Sequence, residues 1–307
     1  MSETEKLILK TIIFYDIFNY PLTCTEIFKS LPKNETNNEY DYLAIRTTLN
    51  STSLISCQNG YYFLTGREKI INTRFERYLI AEAKYKKRLR YIKLLSLLPN
   101  IEMIMVVNSL AYQNCPAAND IDLAIISKTG RIWTTRFFAA GILKLLRLRP
   151  RATKKKDQLC PSFFFAQDAL DLENLKLDPK DIFTKYWVSQ FYPVYFKNQA
   201  YHQFIEKNQW LKQKFPHLYP IFPPQKRLIQ QGTFSKSIKK LFELLANLFP
   251  ENFYKKFELN ALPTNLKNIA NQSTSVIISN QILKFHDNDI RDQVATKYYA
   301  KLSQIIN

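Results

Sequence analysis

The chain has 307 residues and a mass of 36.3 kDa, with 46% apolar and 23% charged residues, which excludes wholesale disorder and gives room for about two domains. Its 44 Lys and Arg against 26 Asp and Glu leave a net charge of +18; this favours a polyanionic partner such as nucleic acid, nucleotide or an anionic membrane surface, or else a basic solvated surface. Only five glycines occur, where ordinary usage would give about 21, and neither GxGxxG nor GxxxxGK[ST] is present, which excludes Rossmann dehydrogenases and P-loop NTPases.

Residues 5–18 carry Leu7, Ile8, Ile12, Tyr15 and Phe18 at helical spacing, and Pro21 forces that helix to end near Asn19. Thr23 opens a second helix with Glu26 three residues on, a capping box, and Pro32 closes it. A third helix is expected from Tyr40 to Leu49, followed by a hairpin that turns at Asn59-Gly60 between Leu54–Ser56 and Tyr61–Leu64. Three helices and a short hairpin in this order predict a winged helix-turn-helix over residues 1–66. Its third helix offers Arg46, Thr47, Thr48 and Asn50 to a nucleic acid, but also Glu39 and Asp41, a poor phosphate-binding surface. A long helix over 67–98 follows, and Pro99 ends it. Its basic run (Lys84, Lys86, Lys87, Arg88, Arg90, Lys93) reads as a solvated face or as a connector touching nucleic acid.

Residues 101–107 read as a buried strand leading into Asn108-Ser109-Leu110-Ala111, and Asp120-Ile-Asp122-Leu runs into a second strand. Alternation along that strand points Asp120 and Asp122 the same way. Two carboxylates held side by side repel unless a cation sits between them, and an oxygen-only pair suits Mg²⁺.

Strand, Ser-containing turn, short helix and a strand bearing Asp120 and Asp122 together resemble the polymerase-β-type nucleotidyltransferase superfamily. Tyr20-Pro-Leu-Thr23, Gly60–Glu68, Gly130-Arg-Ile-Trp133, Phe204–Trp210 and Leu283–Asp289 are similar to a bacterial family of such proteins with an N-terminal winged helix, so the resemblance covers nearly the whole chain. It implies Mg²⁺-dependent transfer of a nucleoside monophosphate from an NTP to an acceptor hydroxyl. Asp120 and Asp122 would be catalytic and hold the metal, and Asn108 and Ser109 would form the nucleotide-binding turn. The family has glycine where this chain has Asn108; Asn tolerates left-handed backbone, yet its side chain could obstruct a triphosphate. A third carboxylate from a later strand is also implied. The strand-like run Gln158–Ala166 is flanked by Asp157 and Asp168, either of which could serve, with Asp168 the expected third metal ligand. Pro161 in this run suggests an edge strand.

Residues 128–156 hold ten basic residues and no acid. Arg131 and Arg136, nearest the acid strand in sequence, are candidates for phosphate contact, while 149–156 reads as a mobile basic loop. Beyond Asp178 the pattern is helical, broken at Pro193, Pro216, Pro220 and Pro223-Pro224, with aromatics Phe183 to Phe196 as core. A helix covers Phe234–Leu248, Ser275–Ser279 is a short strand, and Asp289 caps a final helix rather than joining His286 in a metal site.

The expected fold is therefore α+β: winged helix (1–66), connecting helix (67–98), a nucleotidyltransferase-type mixed sheet with helices (99–177) and a helical C-terminal domain (178–307). A catalytically degenerate relative acting as a nucleic-acid-binding or regulatory module is the alternative function. The expected partners are an NTP and, through the winged helix or basic surface, nucleic acid. No apolar run approaches the roughly 18–20 residues of a membrane span, so no membrane partner is expected. The N-terminus carries no secretory pattern and the four cysteines form no CxxC pair, which predicts a cytoplasmic protein without disulfides.

Overall fold

Ser2 accepts from Glu5 N and starts α1 (Glu3–Asp16), which buries one face through Ile8, Ile12 and Tyr15. In this computed structural model, which describes every residue except 34–40, 152, 221, 223, 224 and 307, a two-residue strand β1 (Leu22–Thr23) leads into α2 (Cys24–Ser30). The capping box is present: Thr23 Oγ1 accepts from Glu26 N at 3.2 Å and Glu26 Oε2 accepts from Thr23 N at 2.8 Å. Asp41 caps α3 (Tyr42–Ser51) by accepting from Leu43 and Ala44 N–H groups, so its charge is spent on the helix start. Glu39 and the expected helix start at Tyr40 lie outside the described residues. β2 (Ile55–Gln58) and β3 (Tyr61–Leu64) form a hairpin whose turn residues Asn59 and Gly60 both have positive φ, +53° and +78°, as a tight type I′ turn requires. β1 adds to the other side of β3, giving a three-stranded sheet.

The long helix α4 (Ile70–Ser96) is not simply a solvated rod. Lys84 and Arg88 within its basic run are buried, a correction whose cause is given with the site below. Next come β4 (Ile101–Val106), the one-turn α5 (Asn108–Ala111), β5 (Ile121–Ser127), α6 (Ile132–Leu145) and β6 (Leu159–Ala166). β4 and β5 are antiparallel, whereas β6 returns parallel to β5 after the α6 crossover. Both faces of the sheet are apolar because helices cover both. Ile104, Val106, Leu123 and Ile125 pack toward α4 and α6, while Met103, Met105, Ala124 and Ile126 pack toward the helices that follow.

Those are α7 (Ile182–Ser189), α8 (Asn198–Lys207) and α9 (Gln209–Lys214), with β7 (Tyr192–Phe196) between the first two. α10 (Thr233–Ala246), α11 (Glu251–Ala261) and α12 (Thr264–Ile269) precede the hairpin β8 (Val276–Ile278) and β9 (Ile282–Phe285), and α13 (Arg291–Ile306) ends the chain. The second sheet has the order β7-β4-β5-β6-β9-β8. The expectation of a helical C-terminal domain is thus only partly met: three strands of residues 178–307 complete the central sheet. Tyr192–Phe196 looked helical because its aromatics continue the spacing of α7, but Pro193 is acceptable in β7 because that strand is an edge. β6, in contrast, is interior. Pro161 is accommodated by a register shift, Leu123 opposing Pro161 and Ala124 opposing Phe163, and by β9 pairing only with Phe163–Phe165. Among the described residues the first half of β6 therefore has no second strand beside it, and Leu159 N donates to Leu148 O at 2.8 Å instead. Pro223 and Pro224 lie outside the described residues.

Candidate active site

The first half of β6 and the start of β5 form the floor of a cleft of about 470 Å³, within the range of small-ligand pockets. Asp120 and Asp122 sit there on one face, as strand alternation dictates, and the parallel register sets Cys160 directly opposite Asp122. One ligand atom from each of Asp120, Asp122 and Cys160 falls within 4.8 Å of the others. Burial, then the Asp120 charge, push the Asp122 pKa up to about 7, and burial also raises Asp120. Burial and the two carboxylates push the Cys160 thiol well up, so it is neutral at physiological pH.

Asn108 takes the left-handed conformation expected of the turn, with φ of +58°. Its side chain does not point away. Nδ2 donates to Asp122 Oδ2 at 2.8 Å, and Oδ1 accepts from Trp187 Nε1 at 2.7 Å. The amide thereby ties the acid pair to α7 and fills the turn in which the resemblance implies a phosphate; Ser109 lines the cleft beside it.

Asp157 cannot be the missing carboxylate, because it is fully used elsewhere. Lys84 Nζ reaches Asp157 Oδ1 at 2.8 Å and Lys87 Nζ reaches Oδ2 at 2.7 Å. Lys84 also donates to the carbonyls of Ala117 and Asn119, and Arg88 Nε donates to Asp157 O at 2.6 Å. Burial alone would raise the Asp157 pKa, but the lysine hydrogen bonds outweigh it and hold the carboxyl below its ordinary range. This buried clamp joins α4 to the segments just before Asp120 and Cys160, and so fixes the cleft floor.

The remaining predicted residues lie elsewhere. Asp168 follows Ala166, which opposes Ser127, so it stands at the far end of the sheet and accepts from Gln281. That corrects its assignment as third metal ligand; the residue beside the acid pair is Cys160. Arg131 and Arg136 begin α6, which leaves the C-terminal end of β5, again the end away from the acids. Arg136 is buried against Glu258 and over the Phe285 ring at 4.6 Å, which corrects its assignment to phosphate. Closeness in sequence to the acid strand puts neither arginine in the lining of the cleft. Part of the basic loop does approach: Lys155 acts on Asp120 and Arg149 on Cys160.

Sequence reasoning did not single out the walls. Phe14 of α1, Phe18 in the turn after it, and Phe183 and Trp187 of α7 give an aromatic side. Lys284 and Arg291 give a cationic one, yet Lys284 donates to Thr274 O at 2.6 Å and Arg291 is paired with Asp289. His286 is half-buried, 3.2 Å from Ser162 Oγ; desolvation and the neighbouring Lys284 push its pKa down to about 3, so it is neutral. Asp289 accepts from Arg291 N as α13 begins, in keeping with the expected cap. The one signal for Cys160 was its place two residues inside a strand predicted to neighbour the acid pair.

The donor set can be matched to a cation. Two carboxylates facing one point suit a single hard divalent ion such as Mg²⁺. A neutral thiol is a poor partner for a second one. The residues therefore fit one such ion on the acid pair, and do not fit a pair of ions shared by three carboxylates. No family profile, no curated protein and no solved structure matches the chain.

Proposed function

We propose that the chain is a nucleotidyltransferase-type protein that takes up a nucleoside triphosphate with Mg²⁺ in the central cleft. The observation that carries this reading is the placement of Asp120 and Asp122 on one face at the start of β5, on the floor of a cleft with an aromatic wall. When bound, the ion would neutralise phosphate charge and polarise the reacting phosphorus. Asp120 and Asp122 hold it, Ser109 and Asn108 border the phosphates, and an aromatic such as Phe183 stacks on the base. The N-terminal order of three helices, hairpin and added strand fits a winged helix. Of its candidate contacts, Thr47 and Thr48 donate to carbonyls of their own helix and Asn50 accepts from Tyr62, leaving Arg46 as the free cation of α3 among the described residues.

A second reading, a degenerate relative that binds nucleotide without transferring it and acts as a nucleic-acid-binding or regulatory module, is favoured by two contacts. Cys160 stands where a third carboxylate would be, and Asn108 bonds to Asp122 within the phosphate turn.

Thermal melts with each NTP, with and without Mg²⁺, test the shared part. Nucleotide at 100 times its dissociation constant stabilises by about 2.7 kcal/mol, and the effect is expected to vanish in Asp120→Asn/Asp122→Asn. Because metal displaces the Asp122 proton, Mg²⁺-dependent stabilisation should grow from about pH 6 to pH 8. No shift with any NTP would refute the reading. Pyrophosphate release separates its two forms: measurable release in the natural chain supports transfer, while release that appears only in Cys160→Asp supports the degenerate form.

A further inference from the structure

Helix α10 sits on the protein by its polar side. Lys239 is buried at 4% exposure and donates to the Ser96 and Ile101 carbonyls, and its neighbour one turn on, Glu243, accepts from Asn100 N at 3.3 Å. The opposite side is apolar and faces outward. Leu241, Leu244, Leu245 and Leu248 follow helical spacing, with Leu244 and Leu248 at 66% and 71% exposure. Phe249 in the connection to α11 stacks on Phe253 at 5.3 Å, which continues the face onto the exposed Phe253 and Phe257. An apolar face of this extent on a globular chain marks a contact surface.

Charge identifies what it contacts. The acids of residues 232–262 are all turned inward: Glu243 onto Asn100, Glu251 onto the N–H groups of Trp133 and Thr134, and Glu258 onto Arg136. Lys236 and Lys240 run along one edge of the apolar arc of α10, and Lys256 is exposed on α11. The outward surface of this helix pair therefore carries Leu, Phe and Lys among neutral polar residues, and no acid. A second copy of the chain would bring lysine edges together on molecules of charge +18, which disfavours pairing. An anionic lipid surface meets both requirements, because acyl chains accept the Leu and Phe side chains while headgroups neutralise the lysines.

We propose that the α10–α11 face docks on anionic membrane surfaces, lying in the interface without crossing it. Among the described residues no helix is long and apolar enough to cross a membrane; the expectation of no membrane partner rested on spans and does not bear on surface docking. This proposal is independent of the nucleotide site.

Vesicle flotation of the full chain tests it, using phosphatidylcholine alone and with about 30% phosphatidylglycerol, at about 0.1 and 0.5 M salt. The expected result is at least about ten-fold more protein with anionic than with neutral vesicles at low salt, much of it lost at high salt. Leu244→Glu/Leu248→Glu should abolish flotation and leave the thermal melt unchanged, since both side chains are exposed. Lys236→Glu/Lys240→Glu should remove the preference for anionic lipid. Absence of flotation on anionic vesicles, or undiminished flotation of the leucine variant, overturns the proposal. So does a concentration-dependent dimer that the leucine variant dissolves, which would assign the face to a second copy.

Discussion

Two aspartates flank adjacent strand starts and meet opposite fates. Asp157, just before β6, is held by Lys84 and Lys87, and its pKa is lowered because those hydrogen bonds outweigh its burial. Asp122, on β5, forms no ion pair among the described residues, and burial with the Asp120 charge raises it to about 7. The first carboxylate holds the fold together; the second is a charge the fold leaves to be neutralised by a proton or a bound cation. A partner on the same chain separates a structural acid from a site acid more surely than proximity to the cleft does.

The comparison is broken most severely by removing Lys84. Lys84→Met keeps the length but leaves Asp157 and the carbonyls of Ala117 and Asn119 short of a donor. Removing one member of a buried pair costs about 3–5 kcal/mol, to be read from urea melts at pH 7. Because the folded Asp157 pKa is depressed, its contribution is present above the unfolded value near 3.9 and fades as pH falls through the folded pKa.

Asp122 has the opposite sign. The folded protein holds its proton where the unfolded chain has released it, so stability falls as pH rises from about 4 to about 7. Asp122→Asn keeps an oxygen for Asn108 and removes that slope. The variant should be more stable than the natural chain by on the order of 3 kcal/mol at pH 8 and no more stable at pH 4. A slope that survives the substitution would place the titration elsewhere.

Asn108→Gly sharpens the contrast with a smaller effect. It deletes the bonds to Asp122 and Trp187, at a cost of about 1–2 kcal/mol, while glycine suits the positive φ without strain. The Asp122 titration should move further up, since that amide bond lowers it. With the turn cleared, Mg²⁺–nucleotide should bind more tightly, measured by calorimetry; weaker binding would make Asn108 a ligand instead of an obstruction.

What the sequence made legible was local. The Thr23–Glu26 box, the Asn59-Gly60 turn and the two strands around Asn108 each depend on residues a few positions apart, and each is present in the structure. The acid pair belongs to the same class, because alternation along one strand fixes which way Asp120 and Asp122 point. The third position was different. Whether Asp157, Cys160 or Asp168 faces Asp122 depends on the register of a strand 38 residues away, set by the α6 crossover and the Lys84 clamp. Lys84 itself looked solvated because its partner lies 73 residues on. Tyr192–Phe196 is buried through Tyr195 and shows no polar alternation, so only pairing with β4 reveals a strand.

The mildest test is at the other lysine on Asp157. Lys87 makes a bond as short as that of Lys84, 2.7 against 2.8 Å, but its side chain is 57% exposed where that of Lys84 is 3%. If contact distance governed the clamp, the two substitutions would cost alike. If desolvation governs it, Lys87→Ala costs only about 0–1 kcal/mol, because water replaces the ammonium and Lys84 remains. The residual effect should shrink further in about 0.5 M salt, since screening acts on exposed pairs and hardly on buried ones. Urea midpoints of both variants at low and high salt decide between these cases. A large, salt-insensitive loss at Lys87 would mean that Asp157 needs two cations, and that the lack of a paired cation is a poor guide to the site.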